Sequence, residues 1–263
     1  MNYRFKELKD NLDYFYLKYS TKSFINSDPV QFVYKFDNER DREIAGFVAS
    51  ILSQGKRKNI ISKCNELIIG IMKEPFDFVK NFDIDNIPKE LYNFSYFAYR
   101  NIEAIHISVI LSSLKKIISK YSSLKNIFYE KQKLHKGDSN VKNILIDFVD
   151  EFFDGKVSSE ISSLVPSPRK GSACKRMNMF LRWMVRKDQV DSGLWSDIIP
   201  SSKLVIPLDF HVSKISRELG LTNRSQDDWI TAEEITEKLK MFDPNDPVKY
   251  DFAIFGYGVN RGK

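Results

Sequence analysis

The chain has 263 residues, of which 42% are hydrophobic and 29% are charged, and its formal net charge is +6. It can bury one large core, and it contains no run of about 18 uncharged apolar residues that would predict a membrane span. Its two cysteines, Cys64 and Cys174, lie far apart, which argues against a disulfide framework, a zinc site and an iron–sulfur cluster. We therefore expect a cytoplasmic protein that needs no cofactor and no metal.

The predicted elements of the first 160 residues are helices, because apolar residues recur at spacings of three and four rather than two. Amphipathic or apolar-striped helices are predicted over residues 3–19, 40–54, 59–72, 97–121, 124–133 and 141–153. Asp28 and Pro29 together mark a further helix start, and Gly55 and Gly155 each follow the end of a helix. No alternating pattern long enough to predict a strand interrupts this series.

The last third of the chain carries the clearest helix boundaries. Asp209 is expected to cap a helix that ends at Gly220. Thr231 is predicted to open a capping box for a helix that reaches about Met241, and Pro247–Tyr257 is predicted to be the final helix. The best extended segment, Lys203–Pro207, connects two helices. We therefore predict an all-α protein whose single domain covers residues 1–263, since no clean linker divides it.

The segment from Leu164 to Asp209 organises the candidate chemistry. It begins with a proline- and glycine-containing loop and continues into a helix predicted from Ser172 to about Lys187. Between Val165 and Lys187 the chain has seven basic residues and no acid: Arg169, Lys170, Lys175, Arg176, Arg182, Arg186 and Lys187. Such a local density of positive charge favours binding to a nucleic-acid backbone. The alternative interpretation is a solvated basic face of a helix.

Lys175 is the candidate nucleophile of this segment. It falls in the first turn of the predicted helix, where the helix dipole and its basic neighbours should lower its pKa. A lysine that is partly a free amine can form a Schiff base, although a lysine that only contacts phosphate would fit the same position. Asp209 would stabilise its own helix by about 1 kcal/mol as an N-cap. Its ionised carboxylate could also stabilise a developing positive charge or accept a proton.

Together these residues resemble the core of the helix-hairpin-helix DNA glycosylase superfamily, in which a lysine opens the helix after a hairpin and an aspartate follows. The segment Ile51–Gln54 (ILSQ) is similar to a helix end of the same superfamily, and the layout is closest to the archaeal 8-oxoguanine DNA glycosylase branch. The loop Leu164–Lys175 departs from the usual hairpin, because it is longer and has one glycine. The whole chain also resembles a bacterial family catalogued as a domain of unknown function, through Ile206–Val212 and Phe242–Gly256.

The resemblance implies a helix-hairpin-helix glycosylase-like fold of two helical lobes with a cleft between them. The hairpin and the catalytic helix would span about residues 160–187. Lys175 would attack C1′ of a damaged nucleoside, expel the base and form an imine that permits strand cleavage. Asp209 would stabilise the oxocarbenium-like state or assist proton transfer. The implied partner is double-stranded DNA that contains an oxidised purine, with 8-oxoguanine as the expected lesion.

The resemblance also assigns the walls of the site. Met179 would pack against the flipped base, Asp251 and Phe255 would recognise and stack it, and Gln54 would lie at the pocket or at the gap left in the duplex. The residues expected to contact the DNA backbone are Arg169, Lys170, Gly171, Arg176 and Arg182. Lys170 also lies near the expected place of the nucleophile, but Lys175 is preferred because it lies inside the helix on the side of Met179.

Two other functions fit the same residues. A non-catalytic protein of this fold could bind damaged or distorted DNA with the same basic helix and hairpin. An all-α interaction protein could use the basic patch to bind an acidic partner. In the leading hypothesis the protein is a monomer associated with the nucleoid.

Overall fold

The structure is a computed structural model that describes residues 3–84, 92–155 and 157–260. These residues are mainly helical, and their one sheet is a two-stranded hairpin, so the all-α prediction is confirmed at the level of fold class. The α-helices are α1 Tyr3–Tyr19, α2 Lys22–Ile25, α3 Glu39–Leu52, α4 Arg57–Cys64, α5 Pro75–Asn81, α6 Tyr92–Ser95, α7 Ala104–Tyr121, α8 Leu124–Leu134, α9 Lys142–Phe153, α10 Ser159–Leu164, α11 Lys175–Val185, α12 Phe210–Glu218, α13 Trp229–Lys240 and α14 Tyr250–Asn260. Shorter helical segments are Pro29–Tyr34, Pro168–Lys170, Ser201–Lys203 and Pro247–Lys249, which are 3₁₀ helices, and Asn65–Met72, which is a π-helix.

The helix predicted over residues 97–121 is wrong in its first part. The strands β1 (Ala98–Tyr99) and β2 (Ile102–Glu103) pair antiparallel there. The turn between them places Arg100 in the left-handed region with φ 56°. Glu103 then caps α7, and the ring of His106 accepts a hydrogen bond from the Glu103 backbone in return, 3.0 Å away. A strand of two residues is too short to show an alternating pattern, which explains why the sequence did not predict it.

The start of α13 also differs from the prediction. Asp228 caps this helix by accepting a hydrogen bond of 2.8 Å from the Thr231 backbone. Thr231 is buried, and its hydroxyl donates to the carbonyl of Gln226 at 2.7 Å. The predicted capping box at Thr231 is therefore wrong by three residues.

Helix α11 lies in the core, where it packs against α3. Its residues from Met177 to Val185 are all buried. Gly46 of α3 permits this contact, because a Cβ atom there would lie 2.8 Å from the Met184 side chain. Phe180 packs at 5.4 Å on Phe47 and at 5.1 Å on Trp195, measured between ring centroids. The aromatic cluster thus fixes the helix that carries Lys175.

The loop before α11 is a compact turn between two helices. Ser167 caps a single 3₁₀ turn, and Gly171 ends it in the left-handed region with φ 78°. The carbonyl of Gly171 accepts a hydrogen bond of 3.0 Å from the backbone of Trp229, which ties the turn to the start of α13. Cys174 also adopts a left-handed conformation, with φ 49°, immediately before Lys175. The turn therefore sets the direction in which α11 begins.

Candidate active site

The residues predicted for the base pocket and the chemistry converge on a cavity of about 660 Å³. This cavity is lined by residues from the α2 region, from the α3–α4 turn and from helices α11, α12 and α14. Six of the site residues predicted from the sequence lie in its wall: Lys175, Met179, Arg182, Asp209, Asp251 and Phe255. A neighbouring cavity of about 790 Å³ shares Ser53 and Lys175 with the first. Lys175 therefore lies where the two cavities meet.

Lys175 is the first residue of α11 and is partly buried. Burial lowers the pKa of its ammonium group, and the negative charges of Asp209, Asp251 and Asp28 oppose that effect. Burial has the larger influence because removing a charge from water costs more than these separated carboxylates return. No carboxylate forms an ion pair with Lys175 among the residues that the structure describes. The amine is thus closer to its neutral, nucleophilic form than an exposed lysine is.

Asp209 caps a helix with one of its two carboxylate oxygens. As predicted, it caps α12, and its Oδ1 accepts hydrogen bonds of 2.9 Å from the His211 backbone and 3.0 Å from the Val212 backbone. Both bonds use Oδ1, so Oδ2 has no hydrogen bond within the described part of the chain. The cap fixes the carboxylate at the cavity wall and leaves one oxygen available for chemistry.

Asp251 is buried and pairs with Arg182. Burial raises the pKa of Asp251, whereas the guanidinium of Arg182 favours the ionised form. Arg182 is itself only 5% exposed; its Nε lies 3.4 Å from Asp191, and its guanidinium carbon lies 4.5 Å from the Phe252 ring centroid. The burial and the ion pair of this guanidinium disfavour the predicted contact of Arg182 with the DNA backbone, and that contact stays a prediction.

The ring of Phe255 lines the cavity but does not present an empty face. The guanidinium carbon of Arg57 lies 4.5 Å from its centroid and 4.8 Å from the centroid of Phe24. The Nε of Arg57 lies 3.3 Å from a carboxylate oxygen of Asp28. The sequence singled out none of these partners for the site. Asp28 was recognised only as part of a helix start, and Arg57 was assigned no role.

Gln54 lines the neighbouring cavity rather than the one that holds Met179 and Phe255. It is partly buried, and its carbonyl accepts a hydrogen bond from the Tyr99 hydroxyl. Gln54 thus lies beside the cavity that holds Met179, and its expected role at the pocket or at the gap in the duplex stays a prediction.

The other predicted backbone contacts divide into two groups. Lys170 and Gly171 are exposed on the turn, and Arg169 is exposed but paired with Asp150. Arg176 is partly buried and donates to the backbone carbonyls of residues 51, at 3.2 Å, and 163. Burial lowers the pKa of Arg176 to about 10. This guanidinium joins α11 to α3 and α10, and its predicted phosphate contact stays a prediction.

The fold and the site define a mainly helical protein whose cavity holds a partly buried lysine among carboxylates and aromatic rings. A family model described as a protein of unknown function (DUF2400) matches residues 28–260. The chain therefore belongs to this family, as its Ile206–Val212 and Phe242–Gly256 segments suggested. No curated protein and no solved structure matches the chain, so the resemblance to DNA glycosylases stays a prediction. None of the described helices combines the length and the apolar character needed to cross a membrane.

Proposed function

We propose that this chain is a DNA glycosylase with lyase activity that removes an oxidised purine, such as 8-oxoguanine, from duplex DNA. The observation that carries the proposal is Lys175, which has a lowered pKa and opens a buried helix in a cavity with Asp209. An uncharged lysine is required for attack on carbon, and a neighbouring carboxylate stabilises the positive charge that develops on the sugar. Neither requirement is met by a lysine that only contacts phosphate.

The proposed reaction uses groups of this chain alone. The lone pair of Lys175 Nζ forms a bond to C1′ while the bond from C1′ to the base breaks, and the departing base takes up the first proton that the amine loses. The second amine proton passes to O4′ as the C1′–O4′ bond opens, which gives an imine. Removal of a C2′ proton expels the 3′ phosphate and cleaves the strand. Asp209, through Oδ2, is placed to stabilise positive charge at C1′ and to accept a proton from the amine.

The cavity supports a base that has left the duplex stack. Its volume of about 660 Å³ is ample for a purine, and the side chains of Met179 and Phe255 provide apolar walls. Extracting a base from duplex DNA costs a few kcal/mol, and stacking and hydrogen bonds in a pocket offset that cost. Asp251 offers an acceptor at the same wall. The exposed Lys170 and Gly171 of the turn before α11 are the remaining candidates for contact with the flanking phosphates.

The test is covalent trapping with borohydride, which reduces an imine to a stable adduct. Duplexes with 8-oxoguanine, uracil, an abasic site or no lesion would each be incubated with the protein. We expect an adduct on the 8-oxoguanine and abasic duplexes with the parent protein. Lys175→Gln should abolish it, whereas Lys170→Gln, a matched change of an exposed lysine nearby, should retain it.

The alternatives give different results. An adduct that persists in Lys175→Gln would contradict the assignment of the nucleophile. Salt-sensitive binding to the lesion duplex without an adduct or released base would favour a non-catalytic protein that binds damaged DNA. Absence of any DNA binding at low salt would favour an interaction protein with an acidic partner.

A further inference from the structure

Arg57 lies at the cavity wall in contact with two aromatic rings. Its guanidinium lies over two rings, 4.8 Å from the Phe24 centroid and 4.5 Å from the Phe255 centroid. Both rings line the same cavity as Lys175. These distances are those at which a planar group stacks on an aromatic ring. A planar cation of the chain itself thus covers the ring faces that a nucleobase would use.

Few contacts hold the guanidinium of Arg57 at the two rings. Its side chain is 38% exposed, and its one ion pair among the described residues is the 3.3 Å contact with Asp28. A guanidinium carries five N–H donors, so most of its hydrogen-bonding capacity is unused there. Asp28, in contrast, is buried and is fixed by the backbone of Val30, whose N–H donates to Oδ1 at 3.1 Å. The arginine can therefore move while the carboxylate stays.

Both aromatic rings are held by contacts that do not involve Arg57. Phe255 belongs to α14, which is anchored to α1 by a hydrogen bond of 2.9 Å from the Tyr250 hydroxyl to Asp13. Phe24 lies in the four-residue helix α2, and its ring packs edge-on against Phe252 at 5.3 Å. Phe252 in turn lies under the buried Arg182. Both rings are thus held by contacts that persist when Arg57 leaves.

We infer that Phe24 and Phe255 form a two-ring slot for the target base, and that the base enters it by replacing the guanidinium of Arg57. The inference rests on the proposed function, since it names residues of the same base pocket. Once displaced, Arg57 remains at the cavity mouth, beside Lys56 and Lys58, where the DNA backbone would pass. Binding of a base-bearing duplex then includes the loss of the Arg57 stacking contacts, whereas binding of a duplex that lacks the base does not.

The test compares two duplexes of one sequence, one with 8-oxoguanine and one with a tetrahydrofuran abasic analogue. All proteins carry Lys175→Gln, so that no chemistry follows binding. The measured quantity is the preference for the base, which is the dissociation constant for the analogue divided by that for 8-oxoguanine. Arg57→Ala should raise this preference about three- to tenfold, because the competing cation–π contacts are gone. Phe24→Leu keeps an apolar side chain but removes the aromatic face, and it should lower the preference by about three- to tenfold.

Lys56→Ala is the matched control, because it removes a neighbouring cation that covers neither ring. It should weaken both duplexes alike and leave the preference unchanged. The inference is overturned if Arg57→Ala weakens both duplexes equally, as a simple phosphate contact would, or lowers the preference, as a residue that reads the base would. If the Lys175→Gln parent binds neither duplex, the proposed function itself fails. Circular dichroism of each variant excludes loss of the fold as the cause.

Discussion

Replacement of Arg182 by methionine tests whether the ion pair behind the cavity holds Asp251 in place. The change keeps an unbranched apolar stem against Phe252 but removes the guanidinium that pairs with Asp251. Asp191, the second acid beside Arg182, keeps its ion pair with Arg186. The variant therefore leaves one buried carboxylate, that of Asp251, without a cation.

The size of the effect follows from that single uncompensated charge. Removal of one partner from a buried ion pair destabilises a protein by about 3–5 kcal/mol. Domains have a total free energy of unfolding of about 5–15 kcal/mol, so Arg182→Met should remove a large part of the stability. The double variant Arg182→Met with Asp251→Asn lacks both charges and should recover about 2 kcal/mol. Arg169→Met breaks an exposed pair with Asp150, and it should cost about 1 kcal/mol or less.

Urea unfolding followed by circular dichroism would measure these differences. The loss in Arg182→Met should shrink as the pH falls, because burial raises the pKa of Asp251 and the neutral acid needs no cation. Two results would refute the reasoning. One is a loss in Arg182→Met no larger than that in Arg169→Met. The other is a double variant as unstable as the sum of its single changes.

Two further predictions concern carboxylates with assigned contacts. Asp209→Ala should destabilise the protein by about 1 kcal/mol, because the α12 cap is lost. Asp209→Asn should keep the cap and the stability but slow borohydride trapping. Equal trapping by Asp209→Asn and the parent would contradict the chemical role of Asp209. Burial raises the pKa of Glu43 to about 7, against the opposing hydrogen bonds from Trp195, Leu124 and Lys125. The Glu43 carboxyl group thus binds its proton more tightly in the folded state than in the unfolded state. This difference stabilises the fold by about 3 kcal/mol below pH 4.5, and the stabilisation is lost as the pH rises through 7. Thermal unfolding across that range should show this loss in the parent and not in Glu43→Gln.

The parts of the fold that the sequence predicted are those with local causes. Helix α1 spans Tyr3–Tyr19 as its apolar spacing indicated, and Asp209 caps α12 because the bonds reach only two and three residues ahead. The hairpin at residues 98–103 and the cap at Asp228 were missed. The first is too short to show a period, and the second competes with Thr231, which is an equally good capping residue by type. Local sequence preferences therefore identify the capping residue only where the tertiary contacts favour the same residue.

The sequence predicted several residues that line the cavity, but it did not predict how the charges around the cavity pair. Lys175 and Asp209 are separated by a single helix and loop, and their convergence on one cavity follows from a recognisable pattern. The pairing of Arg182 with Asp251 joins residues 69 positions apart, and no local pattern distinguishes a buried arginine from an exposed one in a basic run. The stacking of Arg57 on Phe255 likewise joins residues that are far apart in the sequence, and no local pattern predicts it. The sequence alone therefore did not show that Arg182 pairs with a buried carboxylate at the cavity wall.

That pairing also explains how Lys175 can have a lowered pKa although three carboxylates surround it. Each acid already has donors of its own: Asp209 accepts two backbone N–H groups, Asp251 pairs with Arg182, and Asp28 accepts a backbone N–H and contacts an arginine. A carboxylate whose negative charge is already compensated attracts the Lys175 ammonium group less strongly. Burial then dominates, and the amine loses its proton more readily. In the proposed reaction the same carboxylates would stabilise a positive charge on the sugar, which an ion pair with the lysine would prevent.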